Sequence, residues 1–339
     1  MNSINNFLNK RSNFFIWKKY YDFFWNSNNM LLRYLYIVIP IALLFVLYLV
    51  IYFCGGYDFE GYSFVNDYAN SLVIPYIMLF GYYFTGWLFN YSNKIIEDLI
   101  TRYNLSVKNQ RKYIRTEKLY KIMQLFSYFI PLVSLIFIFV ANENMDKNWY
   151  SVLPYGFLLF YKLVIIFTWY LAASLIIIAI FSLIKIHYVL KDIDIEDINI
   201  YDSDNNCGFF FCNKLIIFFL GISLYYLFAG NIIVFSDFNA VSFQIENTFY
   251  KYPWAGCIFL IMFFMYLATV LVTMFDSISL VSKVKQNTLQ KKDINSVDYD
   301  KVSKVRTFPI TLETITAFFS VWVIPFLMLL VTVYSAFFR

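Results

Sequence analysis

Histidine, cysteine and charged residues are all scarce in this 339-residue chain, and the scarcity excludes whole classes of function. His187 is the only histidine, which rules out His-based triads and two-histidine metal motifs. The sequence has no nucleophile elbow and no glycine-rich phosphate loop. Its long apolar segments contain no paired carboxylates. We therefore predict that the protein is not an enzyme and holds neither a cofactor nor a metal ion.

Charged residues make up only 14% of the chain, whereas hydrophobic residues make up 60%. A soluble domain has roughly 25% and 45–50% of these classes. A soluble fold of this length could not bury so much apolar surface, because burial is limited by the ratio of surface to volume. The composition predicts an all-α, polytopic bundle in a cell membrane.

Seven apolar segments reach the length of about 20 residues that a membrane-spanning helix needs. They are residues 32–53, 69–91, 119–141, 154–184, 214–235, 254–275 and 315–338. The fourth is too long for a perpendicular span, so we expect it to tilt or to continue as a helix beyond the membrane. The second is the weakest because polar residues, glycine and proline dilute it. Without it, the orientation of every later segment would invert.

The positions of lysine and arginine predict the orientation. Of the 27 basic residues, 23 lie at the N-terminus as far as Arg33 or in and beside the connectors 92–118, 185–213 and 276–314. Three lie on the opposite side, and Lys162 lies within a span. The positive-inside rule therefore predicts a cytoplasmic N-terminus and a C-terminus outside. The same rule explains the basic residues 108–121 more simply than nucleic-acid binding does, so we predict no nucleic-acid partner.

The N-terminal segment, residues 1–31, combines aromatic residues at helical spacing with four lysines and arginines. The aromatic residues that share one helical face are Phe7, Phe14, Trp17, Tyr21 and Phe24. This pattern is typical of an amphipathic helix that lies in the membrane interface. A disordered tail is the alternative.

Lys162 is the strongest candidate for a functional residue because it lies inside the fourth predicted span. Intramembrane charges are costly and usually face a partner, a bundle interior or water. Asp67, before the second span, and Asp237, after the fifth, are the candidate partners. The alternative is that the lysine stem carries the amine to the outer headgroups.

Four prolines within predicted spans are candidate hinges, since each removes a backbone donor from its helix. They are Pro40, Pro75, Pro131 and Pro325. Membrane bundles tolerate such kinks where neighbouring helices satisfy the backbone, and a purely structural kink is the alternative for each.

Two cysteines, Cys54 and Cys257, fall at the predicted outer ends of the first and sixth spans. A disulfide between them requires their Cα atoms to lie within about 7 Å. We therefore name this pair as a candidate disulfide.

The connector 185–213 is acidic and includes two local patterns. Residues 192–196 alternate polar and apolar side chains, which predicts a short strand. Residues 202–208 place oxygen donors like the first half of a calcium loop, but the glycine comes one place late and the closing Glu is missing. We interpret this second pattern as a polar turn.

Three features of residues 182–338 carry a resemblance to a known family. An acidic, glycine-bearing turn at 202–208 follows a long helix, and a span pair with a basic extension covers 253–292. The motif Arg306-Thr307-Phe308-Pro309 then leads to a final span with Pro325. In these features the chain resembles a family of bacterial and archaeal multi-pass membrane proteins of unknown function. The resemblance implies a bacterial origin and no particular activity.

Together, these features predict a non-enzymatic, homo-oligomeric channel or ligand-responsive pore in the lipid bilayer. The alternative is a structural or anchoring subunit of a membrane complex, including a membrane effector of a bacterial signalling or defence system. Such a subunit would bind a cytoplasmic protein through the basic connectors. A lipid-handling protein is a third hypothesis.

Overall fold

The computed structural model describes residues 16–25, 27–103, 122, 125, 148–200, 207–242, 253–290, 296–305 and 307. These residues are largely helical, and their only β-type pairing is an isolated bridge between Tyr62 and Asn148. The predicted all-α class is therefore confirmed for the part of the chain that the structure describes.

Seven α-helices are present in those ranges. They are α1, Ile16–Trp25; α2, Met30–Phe53; α3, Ile74–Arg102; α4, Tyr155–Asp192; α5, Phe210–Ser242; α6, Pro253–Leu289; and α7, Ser296–Lys304. A π-helical turn, Ala69–Val73, runs directly into α3. Two 3₁₀ turns, Trp149–Val152 and Ile195–Asp197, flank α4.

Four of the described helical segments are long and apolar enough to cross a membrane. They are Met30–Phe53, Ala69–Arg102, Tyr155–Asp192 and Phe263–Leu289. They coincide with the first, second, fourth and sixth predicted spans, so the weakest segment by sequence is among them. The fifth predicted span lies in α5, and the third and seventh lie outside the described residues.

Helices α4 and α6 are longer than a bilayer requires. Their 38 and 37 residues extend about 57 and 55 Å at 1.5 Å per residue. The hydrocarbon core is only about 30 Å thick. The prediction that the fourth apolar segment continues as a helix is confirmed.

The strand predicted at residues 192–196 is wrong: α4 runs to Asp192 and a 3₁₀ turn follows. Local alternation does not form a strand when no neighbouring strand pairs with it.

The chain divides into two compact units. Unit 1 comprises Met1–Tyr91, Gln124–Ile178 and Ile232–Asn247, and unit 2 comprises Ser92–Met123, Ala179–Asn231 and Thr248–Arg339. Helices α3, α4 and α5 each contribute residues to both units.

In unit 1, α2 packs through a single stripe of side chains. The buried residues on this stripe are Tyr36, Pro40, Leu44, Leu47 and Ile51, at spacings of three and four. The remaining faces of α2 expose large apolar side chains such as Ile41, Phe45 and Phe53. A helix that is apolar on all sides but buried on one is expected where lipid covers the rest.

Within unit 1, helix α1 packs against α2 and α3 through aromatic side chains. Tyr21 is buried, and a Cβ atom on Gly86 would lie only 2.3 Å from its Cγ. The Tyr20 and Tyr82 hydroxyls are 3.0 Å apart, and burial together with the Asp22 charge raises the pKa of Tyr21 to about 12. Glycine at position 86 is therefore what lets α1 approach α3.

In unit 2, α7 folds back against α6. Val302 is fully buried, and Lys285 Nζ donates hydrogen bonds to the Ser303 and Val305 carbonyl oxygens at 2.6 and 3.0 Å. A basic side chain that binds the last carbonyls of a helix caps its C-terminus. In the same unit, the Tyr266 hydroxyl donates to the Phe219 carbonyl at 2.7 Å, which joins α6 to α5.

We predict that Gly86→Ala destabilises the protein, because the added methyl group collides with the Tyr21 ring. Overpacking of this kind costs about 1–3 kcal/mol, which corresponds to a fall of several degrees in Tm. Thermal unfolding of the detergent-solubilised protein measures the effect. Gly156→Ala is the control, since nothing lies within 4 Å of a Cβ atom there. Equal Tm values for the two variants would contradict the packing described for α1.

Candidate functional site

A buried carboxylate, Asp67, lies two residues before the π-helical turn of unit 1. Asp67 is 4% exposed, and its carboxylate accepts hydrogen bonds from Trp149 and Asn70. Trp149 Nε1 donates to Oδ2 at 3.1 Å, and Asn70 donates from Nδ2 to Oδ2 at 2.7 Å and from its backbone N–H to Oδ1 at 3.2 Å. These donors offset the cost of removing a carboxylate from water.

The π-helical turn positions this carboxylate. Asn70 lies within the turn, and its Oδ1 accepts a hydrogen bond from the Tyr161 hydroxyl of α4 at 3.0 Å. The Tyr48 hydroxyl of α2 donates to the Ser71 carbonyl in the same turn. Side chains from α2 and α4 therefore meet at a segment whose helical geometry is rare and is often found at functional sites.

Aromatic rings surround the network and exclude water from it. Trp149 is fully buried, stacks on Tyr150 with ring centroids 4.1 Å apart, and meets Phe64 and Tyr161 edge-on. Burial, with the Asp67 charge as a second cause, raises the pKa of Tyr150 well above its usual range. Tyr150 therefore remains a neutral phenol at physiological pH.

Lys162 is also in unit 1, on the turn of α4 that carries Tyr161. It is 7% exposed, so its side chain is enclosed by protein. This burial favours the hypothesis of a buried partner over a lysine that reaches along lipid to the headgroups. The pairing with Asp67 or Asp237 stays a prediction: Asp237 lies in α5, and its side chain is outside the described residues.

The candidate hinges differ in what the structure describes. Pro40 is buried within α2, which continues as one helix on both sides of it. Pro75 is the second residue of α3, directly after the π-helical turn. Pro131 and Pro325 lie outside the described residues.

Cys54 lies at the C-terminal end of α2 and is partly buried. Cys257 lies in the first turns of α6, and its side chain is outside the described residues. The Cys54–Cys257 disulfide stays a prediction.

Unit 2 contains a polar pair that sequence reasoning missed. His187 Nδ1 of α4 bonds to Asp276 Oδ2 of α6, and the two side chains are 22% and 23% exposed. The sequence analysis used His187 only to exclude catalytic motifs. The predicted topology did hold a signal, because His187 and Asp276 each follow directly after a span that ends on the cytoplasmic side.

A second hydrogen bond lies beside this pair. Ser277 Oγ of α6 donates to Asn213 Oδ1 of α5 at 2.7 Å, and both side chains are buried. Before α5, the Tyr103 hydroxyl donates to the Cys207 carbonyl at 3.1 Å. Cys207 and Gly208 both have left-handed backbone conformations, with φ of 56° and 84°. The described part of 202–208 therefore has turn geometry.

Among the described residues, no group of three or more His, Cys, Asp or Glu side chains could hold a metal ion.

Comparisons with protein-family models, with curated proteins and with solved structures find no match to this chain. The resemblance of residues 182–338 to a multi-pass family therefore stays a prediction.

We predict that Asp67→Ala strongly destabilises unit 1, because the indole N–H of Trp149 loses its buried acceptor. An unsatisfied buried donor costs about 1–3 kcal/mol. Thermal unfolding of Asp67→Ala, Trp149→Phe and the double variant measures the loss. The decreases in Tm of the two single variants should add to more than the decrease in the double variant, because both single variants remove the same contact.

Asp58→Ala is the matched control, since Asp58 is exposed in the same loop. Strict additivity of the Asp67 and Trp149 variants would show that the carboxylate and the indole do not stabilise one another.

Proposed function

We propose that this protein is a seven-span integral protein of the bacterial cytoplasmic membrane, with its N-terminus inside. Four described helices of sufficient length and apolarity support the membrane assignment. The distribution of 23 of the 27 basic residues supports the orientation.

Within that membrane, the proposed function is a non-enzymatic, oligomeric channel or ligand-responsive pore. The observation that carries this proposal is the burial of Lys162, a charged residue within a membrane-spanning candidate. A buried intramembrane charge costs several kcal/mol unless it has a partner or lines a pathway, so such residues usually have a function. The nearby network around Asp67 adds further polar groups to the same unit.

The lengths of α4 and α6 support the proposal that the pore responds to a ligand. Each exceeds the hydrocarbon thickness by about 25 Å. A continuous helix transmits a displacement along its axis, so a ligand or partner outside the membrane can act on the spanning segment of the same helix.

The same extensions support a second candidate function, a structural or anchoring subunit of a membrane complex. In this alternative the basic connectors, above all residues 92–118, bind a cytoplasmic protein. Gentle detergent extraction of such a subunit yields a stoichiometric partner, and neutralising the basic residues of 94–121 releases it. A channel needs no such partner.

We predict that the reconstituted protein conducts ions in liposomes and that Lys162→Ala changes the flux or its selectivity. Removal of a fixed intramembrane charge alters the electrostatic barrier to ions. A flux assay with purified oligomer measures this. Lys94→Ala is the control, because Lys94 is an exposed lysine on α3. A folded oligomer that conducts no ion would contradict the channel proposal and leave the anchoring subunit.

We predict that reporters fused after residue 290 and after residue 339 lie on opposite sides of the membrane. The first should fluoresce as a cytoplasmic green fluorescent protein fusion, and the second should be active as an alkaline phosphatase fusion. This outcome follows from one span between the two fusion points and from positive-inside orientation. A cytoplasmic reporter at residue 339 would contradict the seven-span arrangement.

A further inference from the structure

The junction between α1 and α2, residues 23–25 and 27–34, presents large apolar side chains on its surface. The aromatic face of α1 is occupied by protein: Tyr20, Tyr21 and Phe24 have ring centroids 6.3, 5.6 and 6.2 Å from that of Tyr36 on α2. The exposed side chains lie instead at the end of α1 and in the first turns of α2. They are 42–66% exposed and comprise Phe23, Trp25, Met30, Leu31 and Tyr34.

This surface leads into α2, which is long and apolar enough to cross a membrane. Trp25 and Tyr34 are residue types that concentrate where hydrocarbon meets the headgroups. Lys19 and Phe23 lie one turn apart on α1, and both are exposed. The junction therefore combines apolar, interfacial and basic side chains, as surfaces that lie against lipid headgroups do.

Arg33, in the first turns of α2, is held in place at this junction. Its Nε donates a hydrogen bond to the Ser27 carbonyl oxygen at 3.0 Å, and the Ser27 hydroxyl accepts one from the Asn29 N–H at 3.0 Å. The described residues give the two terminal guanidinium nitrogens no hydrogen-bond partner, and the first turn of α2 contains no acidic residue. The Arg33 side chain is exposed, so these donors are available to an anion.

We propose that the α1–α2 junction binds an anionic phospholipid. The lipid phosphate accepts hydrogen bonds from the terminal nitrogens of Arg33, and the acyl chains cover the exposed apolar side chains of α2. Arginine suits this role because its planar fork matches the oxygens of a phosphate group.

A phospholipid matches both halves of this surface. A free phosphate ion would use the guanidinium and leave the apolar side chains in water. A zwitterionic lipid would cover the apolar side chains, but its own cation would compete for the phosphate. The net negative charge of an anionic lipid complements Arg33 and Lys19 together. Under the proposed orientation this lipid lies in the cytoplasmic leaflet, whose surface potential is negative.

The inference rests on the membrane assignment of α2 and goes beyond the channel proposal, because lipid binding requires neither conduction nor oligomer formation. Flux through the protein and lipid binding at the junction are therefore tested separately. The failure of one leaves the other standing.

The first test measures Tm of the full-length protein in detergent during titration with dioleoylphosphatidylglycerol or dioleoylphosphatidylcholine, which have the same acyl chains. The anionic lipid should raise Tm at lower concentrations than the zwitterionic lipid. Arg33→Gln should weaken the apparent affinity for the anionic lipid about five- to tenfold. It should leave Tm without lipid nearly unchanged, since Arg33 is exposed. Arg33→Lys keeps the charge but loses the fork, so its affinity should be intermediate.

Lys301→Gln is the matched control, because it removes an exposed basic side chain from α7 in unit 2. It should bind the anionic lipid as the parent does. Equal responses to the two lipids, or an unchanged affinity in Arg33→Gln, would overturn the proposal. Inorganic phosphate at the same concentration should leave Tm unchanged. If it stabilises the parent as much as the anionic lipid does, the site takes a free phosphate and the lipid proposal fails.

The second test does not depend on Tm. The parent and each variant are extracted from vesicles that contain equal amounts of the two lipids, and native mass spectrometry counts the lipids that remain bound. The parent and Lys301→Gln should retain several-fold more of the anionic lipid than of the zwitterionic one. Arg33→Gln should retain the two in similar amounts. Equal enrichment of the anionic lipid in Arg33→Gln and the parent would show that it binds elsewhere.

Discussion

Backbone hydrogen bonding in a medium without water is the constraint on which this structure depends. An unpaired N–H or C=O group in hydrocarbon costs several kcal/mol, so the chain crosses lipid only where the backbone satisfies itself. The spanning candidates are accordingly continuous helices, even where the sequence includes a proline, as at Pro40. The departure from α geometry at Ala69–Val73 is also helical, and a Tyr48 side chain from α2 bonds to one of its carbonyls.

The same constraint decides how helices attach to one another. Lipid tails are as apolar as leucine. Apolar side chains therefore gain little free energy when they leave lipid and pack against another helix. The contacts that are specific in the described residues are polar or tightly packed. In unit 1 they are the Asp67 network and the approach of Tyr21 to Gly86, and in unit 2 they are His187–Asp276 and Asn213–Ser277. Small and polar residues therefore determine which helices pack together, and the abundant Phe, Ile and Leu side chains fill the space between them.

This division explains what could be predicted from the sequence. Hydropathy is a local property, so it located α2, α3, α4 and α6 and indicated that α4 is longer than a perpendicular span. The bond from Trp149 to Asp67 joins residues 82 positions apart, and no local pattern in either segment indicates it. Alternation at residues 192–196 gave a wrong strand, because period-two spacing has meaning only where a second strand lies alongside.

Asp67 and Asp276 are both carboxylates with hydrogen-bond partners, yet they differ in their exposure to solvent. Asp67 is held by three N–H donors from Trp149 and Asn70 and enclosed by aromatic rings. These hydrogen bonds lie away from solvent, where each is electrostatically stronger than it would be in water. The side chains of His187 and Asp276 are each about one-fifth exposed, so solvent reaches this contact. The Asp67 network is therefore shielded from water by the protein, whereas the His187–Asp276 contact is open to it.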